Sequence, residues 1–326
     1  MKIYITREIP GEGIKMLKDR GYKVEVNPED RVLTKEEIIN NAKGCDALLC
    51  LLTDTIDAAV MDALLPKVKI IANYAVGFNN IDIKAAAERK LPVSNAPGPE
   101  ITESVAEQTF LLMLALAHRL VESDRFTRDG KYTGWGPSLL LGTDMHDKIL
   151  GIIGLGAIGK ALAQRAVKGF RMKVVYNDMK RDEAFESEYG AEFVSKEDLL
   201  KRSDFVSLHV PLLPTTKHLI STNEFNLMKP TAFLINTARG PIVDEKALLI
   251  ALSEKKIAGA GLDVYECEPA IDCDLTDNLE LRAMDNVILT PHTASATIEA
   301  RGAMGVVAAK NIIAVLEGGE APNAIK

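Results

Sequence analysis

The stretch Ile149-Leu150-Gly151-Ile152-Ile153-Gly154-Leu155-Gly156-Ala157-Ile158-Gly159 decides the fold. An apolar run passes straight into Gly-x-Gly-x-x-Gly, and a helical pattern opens behind it. A lone glycine triplet is weak evidence, but one lying between a strand and a helix is the fingerprint of a dinucleotide-binding turn. Gly154 allows the tight turn, Gly156 lets backbone approach a pyrophosphate, and Gly159 lets the helix pack on the strand. The helix N-terminus then offers free N–H groups and a positive dipole end to phosphates. The next strand, Lys173–Asn177, ends at Asp178, 19 residues beyond Gly159. The fingerprint places an acid for the ribose hydroxyls at about this distance. A carboxylate there repels a 2′-phosphate, so NAD is expected over NADP. Lys180-Arg181 lie close enough to soften that preference.

Outward from this turn, short β-rich runs alternate with helical patterns along the whole chain, which predicts βαβ units and parallel sheets. The earlier strands are expected at Ile3–Thr6, Lys23–Val26, Ala47–Leu51, Ile70–Ala72 and Pro92–Ser94. Thr34 and Glu37 form a capping box at the head of one intervening helix. Asn95-Ala96-Pro97-Gly98-Pro99 breaks the pattern and suits a hinge. A dense apolar helix follows from Ile101 to about His118, then a loop holding Trp135. The later strands are expected at Ile149–Ile153, Lys173–Asn177, Phe205–His209, Ala232–Asn236, Gly259–Leu262 and Val287–Thr290. The final helix, about Ile298–Glu317, has no strand after it and is expected to return to the first domain.

Composition fits this picture. The 326 residues are 47% hydrophobic and 26% charged, enough for two cores of ordinary size. The net charge of −7 argues against nucleic acid or an anionic membrane as partner. No apolar run is long enough to span a bilayer. The N-terminus has too short an apolar stretch for a signal peptide, so a cytoplasmic protein is expected. Cys45, Cys50, Cys267 and Cys273 fit no common zinc spacing and no disulfide framework. They are read as buried or idle thiols, and no metal is expected.

Candidate chemistry gathers at strand ends, where open α/β sheets place their ligand crevice. Of the five histidines, His209 and His292 sit at such ends. An imidazole titrates near neutrality and suits a general acid. Asn236-Thr237-Ala238-Arg239-Gly240 puts an arginine after one buried strand. Gly261–Pro269 puts acids after another. Arginine forks onto carboxylates, and a glutamate beside a histidine orients it and favours its charged form. Taken singly, each residue is more often structural, strand-end arginines usually pairing with nearby acids. Their common rim is what joins them.

Taken together, Tyr74–Asp82, Gly151–Gly159, His209-Val210-Pro211-Leu212, Asn236–Gly240, Gly261–Pro269 and Pro291–Thr297 resemble the D-isomer-specific 2-hydroxyacid dehydrogenases, most of all the glyoxylate/hydroxypyruvate reductase branch. The resemblance covers essentially the whole chain. It implies two doubly wound parallel-sheet domains: a flavodoxin-like substrate domain (1–98 plus 293–326) and a Rossmann NAD domain (99–292), hinged so that closure expels water. It implies Arg239 on the substrate carboxylate, His292 as proton donor and Glu268 as the partner of His292. The N–H groups of Val76 and Gly77 would receive the carboxylate. Gly154, Gly156, Ala157, Ile158, Gly159, Asp178, Val210, Pro211, Thr216, Thr237, Ala238, Arg239 and Asp263 would line the NAD site, with Asp263 facing the nicotinamide carboxamide. His209 then falls to a structural part beside the adenine. A homodimer built through the helix at Ile101–His118 is implied, with Trp135 reaching a neighbouring active site.

Two departures stand out. Ala157 replaces the arginine or histidine of many members, and Asn79 the aspartate often found in its loop. The absence of a lysine near Val76 lowers a phosphite-oxidising reading. A 3-phosphoglycerate dehydrogenase would place a basic residue near Tyr74–Asn80, and none is there. A branched-chain keto acid reductase remains open, because pocket size is invisible in sequence. A NAD-sensing, corepressor-like binding protein is the alternative of another class.

Overall fold

The computed structural model describes residues 1–268 and 279–325, so Pro269 and Cys273 of the sequence reading lie outside the described residues. Two compact units form. One is Met1–Thr102 with the stretch from Ser295 onward, and the other is Glu103–Glu268 with the stretch ending at Ala294.

In the first unit, β1 (Lys2–Ile5), β2 (Lys23–Val26), β3 (Ala47–Leu51), β4 (Ile70–Tyr74) and β5 (Val93–Ser94) make a parallel sheet in the order β2-β1-β3-β4-β5. Helices α1 (Gly11–Asp19), α2 (Lys35–Ala42), α3 (Ala58–Leu64) and α4 (Ile83–Glu88) connect the strands. The central strands read as continuous apolar runs because both faces are covered. Ile3, Ile5, Leu48, Ile70 and Ile71 are fully buried. Thr34 does cap α2, and Glu37 returns the bond to its N–H.

The second unit takes in the long α5 (Pro99–Ala117) from Glu103 on, then α6 (Leu120–Arg128), which buries no residue. Its strands are β6 (Ile149–Ile153), β7 (Lys173–Asn177), β8 (Glu192–Phe193), β9 (Phe205–Leu208), β10 (Phe233–Asn236), β11 (Gly259–Leu262) and β12 (Val287–Leu289). All are parallel, in the order β12-β11-β10-β9-β6-β7-β8. The strand order reverses at β6 and β9, and this is the switch point where such sheets hold a ligand at their carboxyl ends. The connecting helices are α7 (Ala157–Phe170), α8 (Glu183–Tyr189), α9 (Lys196–Arg202), α10 (Thr222–Phe225), α11 (Glu245–Ser253) and α12 (Leu279–Ala283). Strand β8 escaped the sequence reading because two exposed residues carry no alternation to detect. Cys267, read as an idle thiol, is disulfide-bonded. It sits on an irregular turn, where hydropathy gives no sign of pairing. Cys45 and Cys50 are free and buried. Among the described residues no helix is long and apolar enough to cross a membrane, and no acidic, His or Cys cluster could hold a metal ion.

The last helix, α13 (Ile298–Leu316), packs on α1 and β4 of the first unit. The contact is backbone to backbone. A Cβ added at Gly13 would lie 2.2 Å from the Gly305 carbonyl oxygen. Gly13→Ala is therefore expected to destabilise the protein by about 1–3 kcal/mol, the usual cost of overpacking. Urea denaturation checks this: the midpoint falls in the variant.

Candidate active site

The fingerprint glycines have three different steric reasons. Gly154 takes φ +96°, and a Cβ there would sit 2.8 Å from the backbone of His209. A Cβ at Gly159 would come 2.4 Å from the Gly154 oxygen. At Gly156 a Cβ would meet nothing within 4 Å. Gly156 also caps α7 without a side-chain bond, leaving open space at a helix N-terminus where Ala157 and Ile158 begin the helix. That is a cradle for an anionic pyrophosphate, so the residues present fit a dinucleotide. Asp178 is fixed beside it. One carboxylate oxygen accepts from the Leu155 N–H at 2.7 Å and the other from Met179 at 2.6 Å. Arg181, which the sequence left as a possible counter-charge, is engaged by Glu186 at 2.7 Å.

Around the switch point, Val210 and Pro211 leave the end of β9. Thr216 ties their loop by donating to the Pro211 oxygen at 2.6 Å and accepting from Leu213 at 2.8 Å. Thr237 is buried and shares a 2.8 Å hydroxyl contact with Thr109. His209 lies against Ser207 at 2.9 Å, and burial pushes its imidazole down to about 4.

Three strand ends bring Arg239, Glu268 and His292 to the same rim. After β10, the buried Asn236 staples the turn. Its amide donates to the Arg239 oxygen at 2.9 Å, and its own oxygen accepts from Ala238 at 3.0 Å. The Arg239 guanidinium donates to the Ala238 oxygen at 2.7 Å and has no ion pair among the described residues. Burial pulls it below its ordinary range, while the nearby Glu268 carboxylate opposes the shift. After β11 and β12, Glu268 and His292 meet through Nδ1 at 2.6 Å, each with about a quarter of its side chain exposed. A partly desolvated cation without its own counter-ion is suited to receive an anion. The His292 ring, bonded to Glu268 through Nδ1, keeps Nε2 clear of that bond, where it can pass a proton.

What holds His292 was not legible in the sequence. Asp263, fully buried after β11, accepts from the Thr290 hydroxyl at 2.5 Å, Thr293 N–H at 2.9 Å and Ala294 N–H at 2.8 Å. It ties the whole 290–294 turn to the end of β11. Tyr265 adds a second tie, its hydroxyl donating to the Thr290 oxygen at 2.9 Å. The same oxygen accepts from the His292 N–H at 3.0 Å. Burial pushes the Tyr265 hydroxyl up to about 12, so it remains a donor across the working pH range.

In the first unit, the loop after β4 is held by its carbonyls. Buried Asn73 donates to the Gly77 oxygen at 2.9 Å, and Asn95 to the Val76 oxygen at 2.7 Å. Asn80 braces the loop through Leu51 and Asp54. The N–H groups of Val76 and Gly77 have no partner among the described residues.

Residues 110–294 match the family described as D-isomer specific 2-hydroxyacid dehydrogenase, NAD binding domain. A glyoxylate reductase of Korarchaeum cryptofilum is 46% identical over 99% of this chain and 95% of its own length. One from Thermococcus litoralis is 47% identical over 99% and 96%. The crystal structure of the TT0316 protein from Thermus thermophilus superposes with a TM-score of 0.91, at 41% identity and full coverage of both chains. The chain therefore belongs to the NAD-dependent D-isomer-specific 2-hydroxyacid dehydrogenases.

Proposed function

We propose that this protein reduces a small 2-keto acid, glyoxylate first and hydroxypyruvate second, to its D-2-hydroxy acid with NADH. The observation that carries this is the half-buried Arg239, free of ion pairs among the described residues and within the field of the Glu268 carboxylate that bonds His292. The similarity to archaeal glyoxylate reductases supports the smallest substrates. Bound NADH supplies the hydride. Arg239 grips the substrate carboxylate and polarises the carbonyl with the rest of its fork. In the first unit, the N–H groups of Val76 and Gly77 are carboxylate donors in this reading, supported by their lack of other partners among the described residues. His292 hands a proton from Nε2 to the carbonyl oxygen, and Glu268 fixes the ring through Nδ1. Asp178 favours NADH over NADPH, and Glu186 engages Arg181, a cation that would otherwise suit a 2′-phosphate.

We further propose a homodimer built through α5, α6 and the loop behind them. Leu111, Leu120, Val121, Tyr132, Leu139 and Leu141 are exposed, and Trp135 is 84% exposed. So much exposed apolar surface on one stretch marks an association site.

His292→Ala is expected to lose on the order of 10²–10⁴-fold in turnover, the worth of a positioned general acid. NADH oxidation against glyoxylate, hydroxypyruvate, pyruvate and 2-ketoisocaproate reads this directly, and an unchanged kcat would remove His292 from the role. In the same panel glyoxylate is expected to lead, and NADPH to be the poorer donor. A lead for 2-ketoisocaproate would move the substrate to bulky acids.

His209 yields a separate prediction. Its folded value, about 4, lies below the ordinary 6.5. The unfolded chain therefore binds more protons between those values, and stability is complete above about 6.5 and lost as pH falls toward 4. The lost contribution is on the order of 1–3 kcal/mol. Urea midpoints measured across pH 4–7 should fall less steeply in His209→Gln than in wild type. Parallel curves would contradict the assignment.

A further inference from the structure

Two histidines of the second unit take the left-handed backbone, His218 at φ 51° and His292 at φ 55°. Such strain in residues with a Cβ persists where surrounding contacts impose it. Both rings are aimed at glutamates of one short turn. His292 meets Glu268, and His218 meets Glu266 through Nε2, each at 2.6 Å.

Glu266 is fixed on both sides. Its second carboxylate oxygen accepts from the Glu245 N–H at 3.3 Å, and its own N–H donates to the Glu245 carboxylate at 2.6 Å. The His218 N–H donates to the Pro241 oxygen at 2.8 Å. Gly240 lies so close to the turn that a Cβ there would fall 1.8 Å from the Tyr265 carbonyl. His218, the turn Gly240–Ile242, the start of α11 and Tyr265–Glu268 are thus one bonded assembly. Arg239 enters it one residue before Gly240, and Glu268 leaves it two residues after Glu266. Tyr265 and Glu268, at the two ends of its final turn, are also the residues that grip Thr290 and His292.

We propose that His218 is a positioning residue for the reduction: through Glu266 it sets the turn from which Glu268 and Tyr265 hold His292. The inference rests on the keto-acid reductase reading. His218 itself touches neither substrate nor proton path. Its contribution passes through Glu268.

The test compares wild type, His218→Ala, His218→Gln, Glu266→Ala, Glu268→Gln and the double variant His218→Ala/Glu268→Gln in glyoxylate reduction with NADH. NADH affinity is read alongside from fluorescence of the bound cofactor. His218→Ala is expected to lower kcat on the order of 10- to 100-fold, the scale of a small misplacement in a catalytic constellation, with NADH affinity unchanged. His218→Gln, whose amide nitrogen stands where Nε2 stood, should recover most of it. In the Glu268→Gln background the loss from His218→Ala should largely vanish, since groups in one network are not additive. Full additivity, wild-type turnover in His218→Ala, or a loss confined to NADH affinity would each overturn the inference. If His218→Ala does not fold, Glu266→Ala makes the same comparison. Wild type that turns over while His218→Ala matches it sinks only this inference. Wild type inactive on every 2-keto acid overturns the reading beneath it as well.

Discussion

The buried carboxylate of Asp263 is the constraint on which the site depends. A fully buried anion must be satisfied by donors. Here all the donors come from one turn, Thr290–Ala294. Burying Asp263 therefore forces that turn onto the end of β11 and brings His292 to Glu268. The functional geometry follows from a solvation requirement, and no large apolar contact is needed at the rim. Local strain at His292 persists because the carboxylate, Tyr265 and Glu268 together over-determine the turn.

The parallel sheet sets the stage for this. Strands buried on both faces place their polar residues at their ends, and Asn236, Asp263 and Thr290 each stand where an apolar run stops. From there they staple the backbone that carries Arg239 and His292. The opposite charge logic governs Arg239. Its guanidinium is half-buried and keeps no acid of its own among the described residues. In the proposed reaction an anionic substrate offsets that desolvation, so a preference for carboxylates would have an electrostatic origin.

Much of the fold was legible because the physics is local. Apolar runs such as Ile149–Ile153 and the Thr34–Glu37 box state their structure within a few residues. The three glycines of the fingerprint could be assigned separate steric tasks before any coordinates. Strand β8 and helix α6 were not legible, since neither buries a face that hydropathy could reveal. Within the site, strand-end position pointed to Arg239, Glu268 and His292. It could not show Asp263 caging the 290–294 turn, nor the 48-residue separation across which His218 finds Glu266. Partners so distant in sequence are fixed by topology, and a single sequence carries no pairing signal for them. The disulfide at Cys267 was missed because its turn carries no hydropathy pattern that marks pairing.

The central claim is that Arg239 is the anion site of the reaction. Binding of oxamate, an unreactive carboxylate that mimics a 2-keto acid, to the NADH-loaded protein tests it most directly. By titration calorimetry, wild type should bind oxamate and Arg239→Gln should not, with NADH affinity the same in both. Equal oxamate affinity in the two proteins would contradict the account, because the carboxylate would then be held without the Arg239 guanidinium.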